Sequence, residues 1–230
     1  MSHVIVFNGG NSLEFQELRL NVVRIPDVLA RVRMAQRIWN RLEYPVFDLL
    51  NFIISSDSQF SKNILYKKFA TAIVQVGLYD RLIRTGTEPK FVVGYKGPEN
   101  AIEACLDKQS FYNLVTESPL VRWLQTGSNV YSMSSMQDQD LKFSVYSKKD
   151  NQNWSALDLE SQELKEIVRE LVDKQGSKKF VIIGPAPISQ KLKYEFEMEN
   201  LEFMDSVDMD PMLNWFWREL NSIDQVAHQA

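Results

Sequence analysis

Phe91-Val92-Val93-Gly94-Tyr95-Lys96-Gly97-Pro98-Glu99-Asn100-Ala101-Ile102-Glu103-Ala104-Cys105-Leu106 is the stretch that decides the fold of this 230-residue chain. Phe91 to Val93 is a continuous apolar run with two β-branched residues, the signature of a short buried strand. Gly94, Gly97 and Pro98 then force a sharp turn. From Glu99 onward the apolar residues recur at helical spacing, with Ala101, Ile102, Cys105 and Leu106 on one face. Strand, glycine turn and helix in this order form the layout of a nucleophile elbow, which holds one side chain above the carboxyl end of a strand. That residue stands two positions after the first glycine and is normally serine. Here it is Lys96.

Two further runs share the pattern. Val4 to Phe7 leads into Asn8-Gly9-Gly10-Asn11-Ser12, and Phe180-Val181-Ile182-Ile183 leads into Gly184-Pro185-Ala186-Pro187. Uninterrupted apolar strands alternating with helices predict an α/β fold whose sheet is mainly parallel and flanked by helices. Ser12 reads as the N-cap of a helix starting near Leu13 and Glu14. Pro26-Asp27 starts another, with Val28, Leu29, Val32, Ala35, Gln36 and Trp39 on its stripe. Arg31, Arg33, Arg37 and Arg41 fall off that stripe and read as solvated, with a basic face for an acidic partner as the second reading. Val46 to Ile54 is a short apolar segment, and a long helix is expected from Asn63 to Ile83. Ser110 to Leu124 reads as a helix that Pro119 breaks or restarts. Gly127 to Asp140 reads as a loop or a hairpin of poor strands, Leu141 to Tyr146 as a strand and Asp150 to Trp154 as a turn. Ser161 to Lys174 and Pro211 to Leu220 complete the predicted helices.

Composition excludes several classes of function. Hydrophobic content of 44%, 24% charged residues and a formal charge of −4 suit a soluble globular domain and give no electrostatic footprint for nucleic acid. A single cysteine excludes an internal disulfide and suits a reducing cytoplasm, and its place on an apolar helix face reads as a packed thiol rather than a nucleophile. The start, Met1 to Phe7, has no basic region, and its apolar run is too short for a signal peptide. No apolar stretch approaches the roughly 20 residues of a spanning helix. The expectation is one cytoplasmic domain over residues 1–230 with no membrane or nucleic-acid partner. The loop after Phe7 lacks a third glycine at the phosphate-binding offset and lacks Gly-Lys-Ser, so no cofactor is expected. His3 and His228 lie at opposite ends and Cys105 stands alone, so no metal site is expected either.

In order and spacing these motifs resemble the malonyl-CoA/acyl-carrier-protein acyltransferase family, which includes the acyltransferase domains of polyketide synthases. The family opens on a strand and Phe-Pro-Gly-Gln-Gly-Ser, matched here by Phe7 to Ser12. Its nucleophile motif, Gly-His-Ser-x-Gly-Glu, is matched by Gly94-Tyr95-Lys96-Gly97-Pro98-Glu99. Its late strand ends in Glu-x-Gly-Pro, and here Ile182 stands in place of the Glu before Ile183-Gly184-Pro185. The resemblance implies an α/β-hydrolase-like large subdomain. The small ferredoxin-like subdomain is reduced or absent, because only about residues 127–140 stand where the family carries several dozen.

What departs from the family is the chemistry. The resemblance places Lys96 at the nucleophile and Gly10 at the glutamine of the oxyanion loop. A second family glutamine falls near Lys68, and the arginine that pairs with an acyl carboxylate falls near Ser118, with Arg122 one turn on. The family's histidine base has no counterpart, since His3 and His228 sit within a few residues of the ends. Acyl transfer needs an activated nucleophile, a base within reach and oxyanion donors. The expected function is therefore a pseudoenzyme, with no catalytic residue, that binds or scaffolds an acyl carrier protein or a polyketide or fatty-acid synthase component, with a homo-oligomer also possible. Trp215-Phe216-Trp217 is the candidate contact. The alternative is an acyl hydrolase or transferase with altered chemistry, using Lys96 or a serine of the Ser132-Ser134-Ser135 segment. A third reading is a soluble domain whose resemblance is fortuitous.

Overall fold

A computed structural model describes residues 3–9, 23–55, 63–95, 97–126, 143–149, 153–157, 163–184, 189–196 and 201–206. The strands are β1 (His3–Asn8), β2 (Pro89–Tyr95), β3 (Ser144–Lys148), β4 (Trp154–Leu157), β5 (Lys179–Ile183) and β6 (Glu202–Asp205). The helices are α1 (Pro26–Trp39), α2 (Leu49–Ile54), α3 (Ile64–Arg84), α4 (Glu99–Cys105), α5 (Phe111–Thr116), α6 (Pro119–Thr126), α7 (Leu164–Gln175) and α8 (Ser189–Glu195).

The three apolar runs become β1, β2 and β5, the centre of one sheet ordered β4-β3-β2-β1-β5-β6. β1 pairs parallel with both β2 and β5, and β5 pairs parallel with β6. Alternate side chains go to opposite faces of a strand. Ile5, Phe7, Val92, Val181 and Ile183 pack into one core with the helices from α1 to α6, while Val4, Val6, Phe91, Val93, Phe180 and Ile182 pack into a second with α7 and α8. Burial on both faces leaves no position for a polar residue, which is why these strands read as continuous apolar runs. The α/β class and the mainly parallel sheet agree with the sequence reading.

Four elements differ from expectation. The strand predicted over Leu141 to Tyr146 is β3, starting at Ser144, and it runs antiparallel to β2. Its partner β4 begins at Trp154, where a turn was expected to end, and the two make an edge hairpin with Val145 opposite Leu157. α8 and β6 had no sequence reading. As expected, the Ser110 to Leu124 helix restarts at Pro119, where the buried Ser118 accepts from the backbone N–H of Val121 at 3.3 Å and caps the new start. The expected helices from Leu13 and over Pro211–Leu220, and the 127–140 segment, lie outside the described residues.

α3 carries the elbow strand into place. Asn63 accepts from the Leu65 N–H at 2.8 Å to cap it, and the helix is buried around most of its circumference. α1 crosses it at backbone contact, since a Cβ on Gly77 would lie 2.5 Å from the Val28 Cα. Charge pairs fix the crossing. Arg31 donates to both Asp80 oxygens at 2.5 and 3.1 Å and lies over the Phe111 ring. Arg84 donates to Asp27 at 3.0 and 2.7 Å, and that hydrogen bond holds the Asp27 carboxyl below its ordinary pKa. Arg31 is thus a half-buried clamp rather than the solvated residue expected. Arg33, Arg37 and Arg41 are exposed.

Candidate functional site

In an open α/β sheet, ligands bind outside the carboxyl ends of the strands, where neighbouring strands connect in opposite directions. β1 runs on through α1 to α3 into β2 on one side, and β5 runs on through α8 into β6 on the other. The switch point is therefore the β1/β5 seam, with the β2 elbow beside it.

At that seam the chain is tightly packed. Asn8 is buried, and a Cβ on Gly184 would collide with its carbonyl oxygen. Gln75, buried in the middle of α3, donates its amide to the Asn8 carbonyl at 2.9 Å and to the Ile183 carbonyl at 3.3 Å. One side chain so satisfies the last carbonyls of two parallel strands, groups that are costly to leave unpaired in a core.

On either side of position 96 the described residues follow the order strand, left-handed glycine, helix. Gly9 donates to the Tyr95 carbonyl at 2.8 Å, which carries the β1/β2 pairing to the last described residue of β2. Gly97 has φ +77°, a left-handed conformation that glycine alone adopts freely. α4 follows with Ala101, Ile102 and Leu106 buried. Cys105 is half-buried, and burial raises its thiol pKa well above the usual range, which makes it a packed rather than a reactive cysteine. Gly94 is required by close approach, since a Cβ there would collide with the Ser144 hydroxyl and approach the Ile102 side chain to 2.8 Å. That hydroxyl is buried and has no hydrogen-bond partner. Tyr95 stacks on Phe143, with ring centroids 5.3 Å apart and planes inclined by 16°.

Gly94, Tyr95 and Glu99 are therefore brought together at the carboxyl end of β2. Glu99 stands in the first turn of α4, where a negative charge complements the helix dipole. Lys96, Gly10, His228, the Ser132 to Ser135 segment and Trp215 to Trp217 lie outside the described residues. Ser118 is a buried helix cap and offers no cation to a carboxylate. Lys68 is half-buried on α3, and Arg122 is exposed on α6. His3 occupies the opposite end of the sheet, in register with Pro89 and Lys179. It precedes Asn8 by five residues, roughly 16 Å of strand. Burial, and then the Lys179 charge, lower its pKa. It is out of reach of the elbow.

Sequence reasoning passed over Gln75, Asn8 and Ser144. A signal existed for Gln75, the one polar residue in the run from Ala72 to Leu78. Among the described residues no group of three or more His, Cys, Asp or Glu is placed to hold a metal ion. Among them, too, no helix is long and apolar enough to cross a membrane.

No protein-family profile matches this chain. No curated protein matches it. Among solved structures, the chain is similar to an acyl carrier protein S-malonyltransferase from Vibrio cholerae, at 12% identity and a TM-score of 0.49, over 89% of this chain and 96% of that one. That superposition is too loose to transfer residue roles.

Proposed function

We propose that this chain is a non-catalytic acyltransferase-like protein that binds or scaffolds an acyl carrier protein, or a synthase component, in fatty-acid or polyketide assembly. One observation carries the reading: the elbow keeps the contacts that hold its shape, while its nucleophile position is Lys96 and the described histidine, His3, sits at the far end of the sheet. Nucleophilic acyl transfer requires a nucleophile and a base in hydrogen-bond reach of each other. Among the described residues, the carboxyl end of β1, β2 and β5 offers backbone groups, the Gln75 amide, the Tyr95 ring, the Glu99 carboxylate and the Ser144 hydroxyl. This set includes no histidine to serve as the base. The pathway follows from the resemblance of the motifs and so is an inference from likeness of fold.

A second reading draws on Ser144. A buried hydroxyl without a partner beside the elbow is the one described group suited to altered acyl chemistry by a serine foreign to the family. Mixing the protein with malonyl-loaded acyl carrier protein and following the mixture by native mass spectrometry separates the two. The scaffold reading expects a complex whose acyl load decays no faster than in buffer. Loss of the acyl group at a rate abolished by Ser144→Ala supports the second reading and overturns the first.

A further inference from the structure

We draw no further inference here: the strongest candidate, the buried and unpaired Ser144 hydroxyl at the β2/β3 seam beside the stacked rings of Tyr95 and Phe143, belongs to the candidate site already described.

Discussion

Two seams at the carboxyl edge of the sheet, β1/β5 and β2/β3, are built on opposite plans. At the carboxyl end of the β1/β5 seam the last strand carbonyls are answered: Gln75 serves those of Asn8 and Ile183, and Gly184 lets the two strand ends close to backbone contact. At the β2/β3 seam a glycine again permits close approach, but what approaches Gly94 is the Ser144 hydroxyl, buried and unpaired. An unpaired buried hydroxyl carries a desolvation cost with no return in stability. The first seam is a structural bolt, and the second, beside the elbow, is where the fold tolerates a polar group that does not hold it together. In an α/β sheet the switch point is the usual place for a ligand. Here the bolt closes the strand ends from the helix layer, and the unmatched chemistry lies one strand away.

This contrast is open to mutation. Gly184→Ala is expected to have the largest effect, because its Cβ meets main chain that cannot rotate aside. Overpacking of this kind costs about 2–3 kcal/mol, read as a fall in the denaturant midpoint with the slope unchanged. A neutral result would mean that the seam is looser than described. Gln75→Leu keeps the volume and removes the amide, stranding the Asn8 and Ile183 carbonyls at an expected cost of about 1–3 kcal/mol.

Gly94→Ala belongs to the other seam and should behave differently. Its principal collision is with a side chain, so Ser144→Ala in the same molecule is expected to restore much of a loss of about 1–2 kcal/mol. Additive effects in that double-mutant cycle would remove Ser144 from the argument. Ser144→Ala alone is expected to be neutral or to stabilise by up to about 1 kcal/mol, since it deletes an unanswered donor. A marked loss of stability would show that the hydroxyl is paired after all.

The smallest effect is expected at the amino end of the β1/β5 seam. The folded pKa of His3 is lowered, by burial first and by Lys179 second. A base with a lowered folded pKa binds fewer protons in the folded than in the unfolded chain. Stability is therefore expected to be greater above the ordinary histidine value of about 6.5 and to decline as the pH falls from there through the folded pKa. His3→Gln is expected to flatten that decline. An unchanged slope would assign it to other groups.

The legible parts of the molecule were those whose environment is uniform along the chain. β1, β2 and β5 are buried on both faces and so read as apolar runs, and α1, α3 and α7 carry their stripes at helical period. β4 and β6 were not legible because each has four residues, and their strand character comes from the neighbour they pair with. The same distance in sequence hid the seams. Gln75 finds its acceptors 67 and 108 residues away, and Arg31 finds Asp80 at a separation of 49. The elbow was legible because strand, turn and helix are local, and the left-handed Gly97 is a local demand as well. Whether Gly94 was needed for a turn or for close packing was not, because Ser144 reaches it only through the register of β3.

The most direct test of the central claim is intact-mass analysis of the pure chain after incubation with malonyl- and acetyl-coenzyme A. An elbow that survives as structure alone leaves the mass unchanged with both. A stable acyl adduct that disappears in Lys96→Ala or in Ser144→Ala would contradict that account and make the site catalytic.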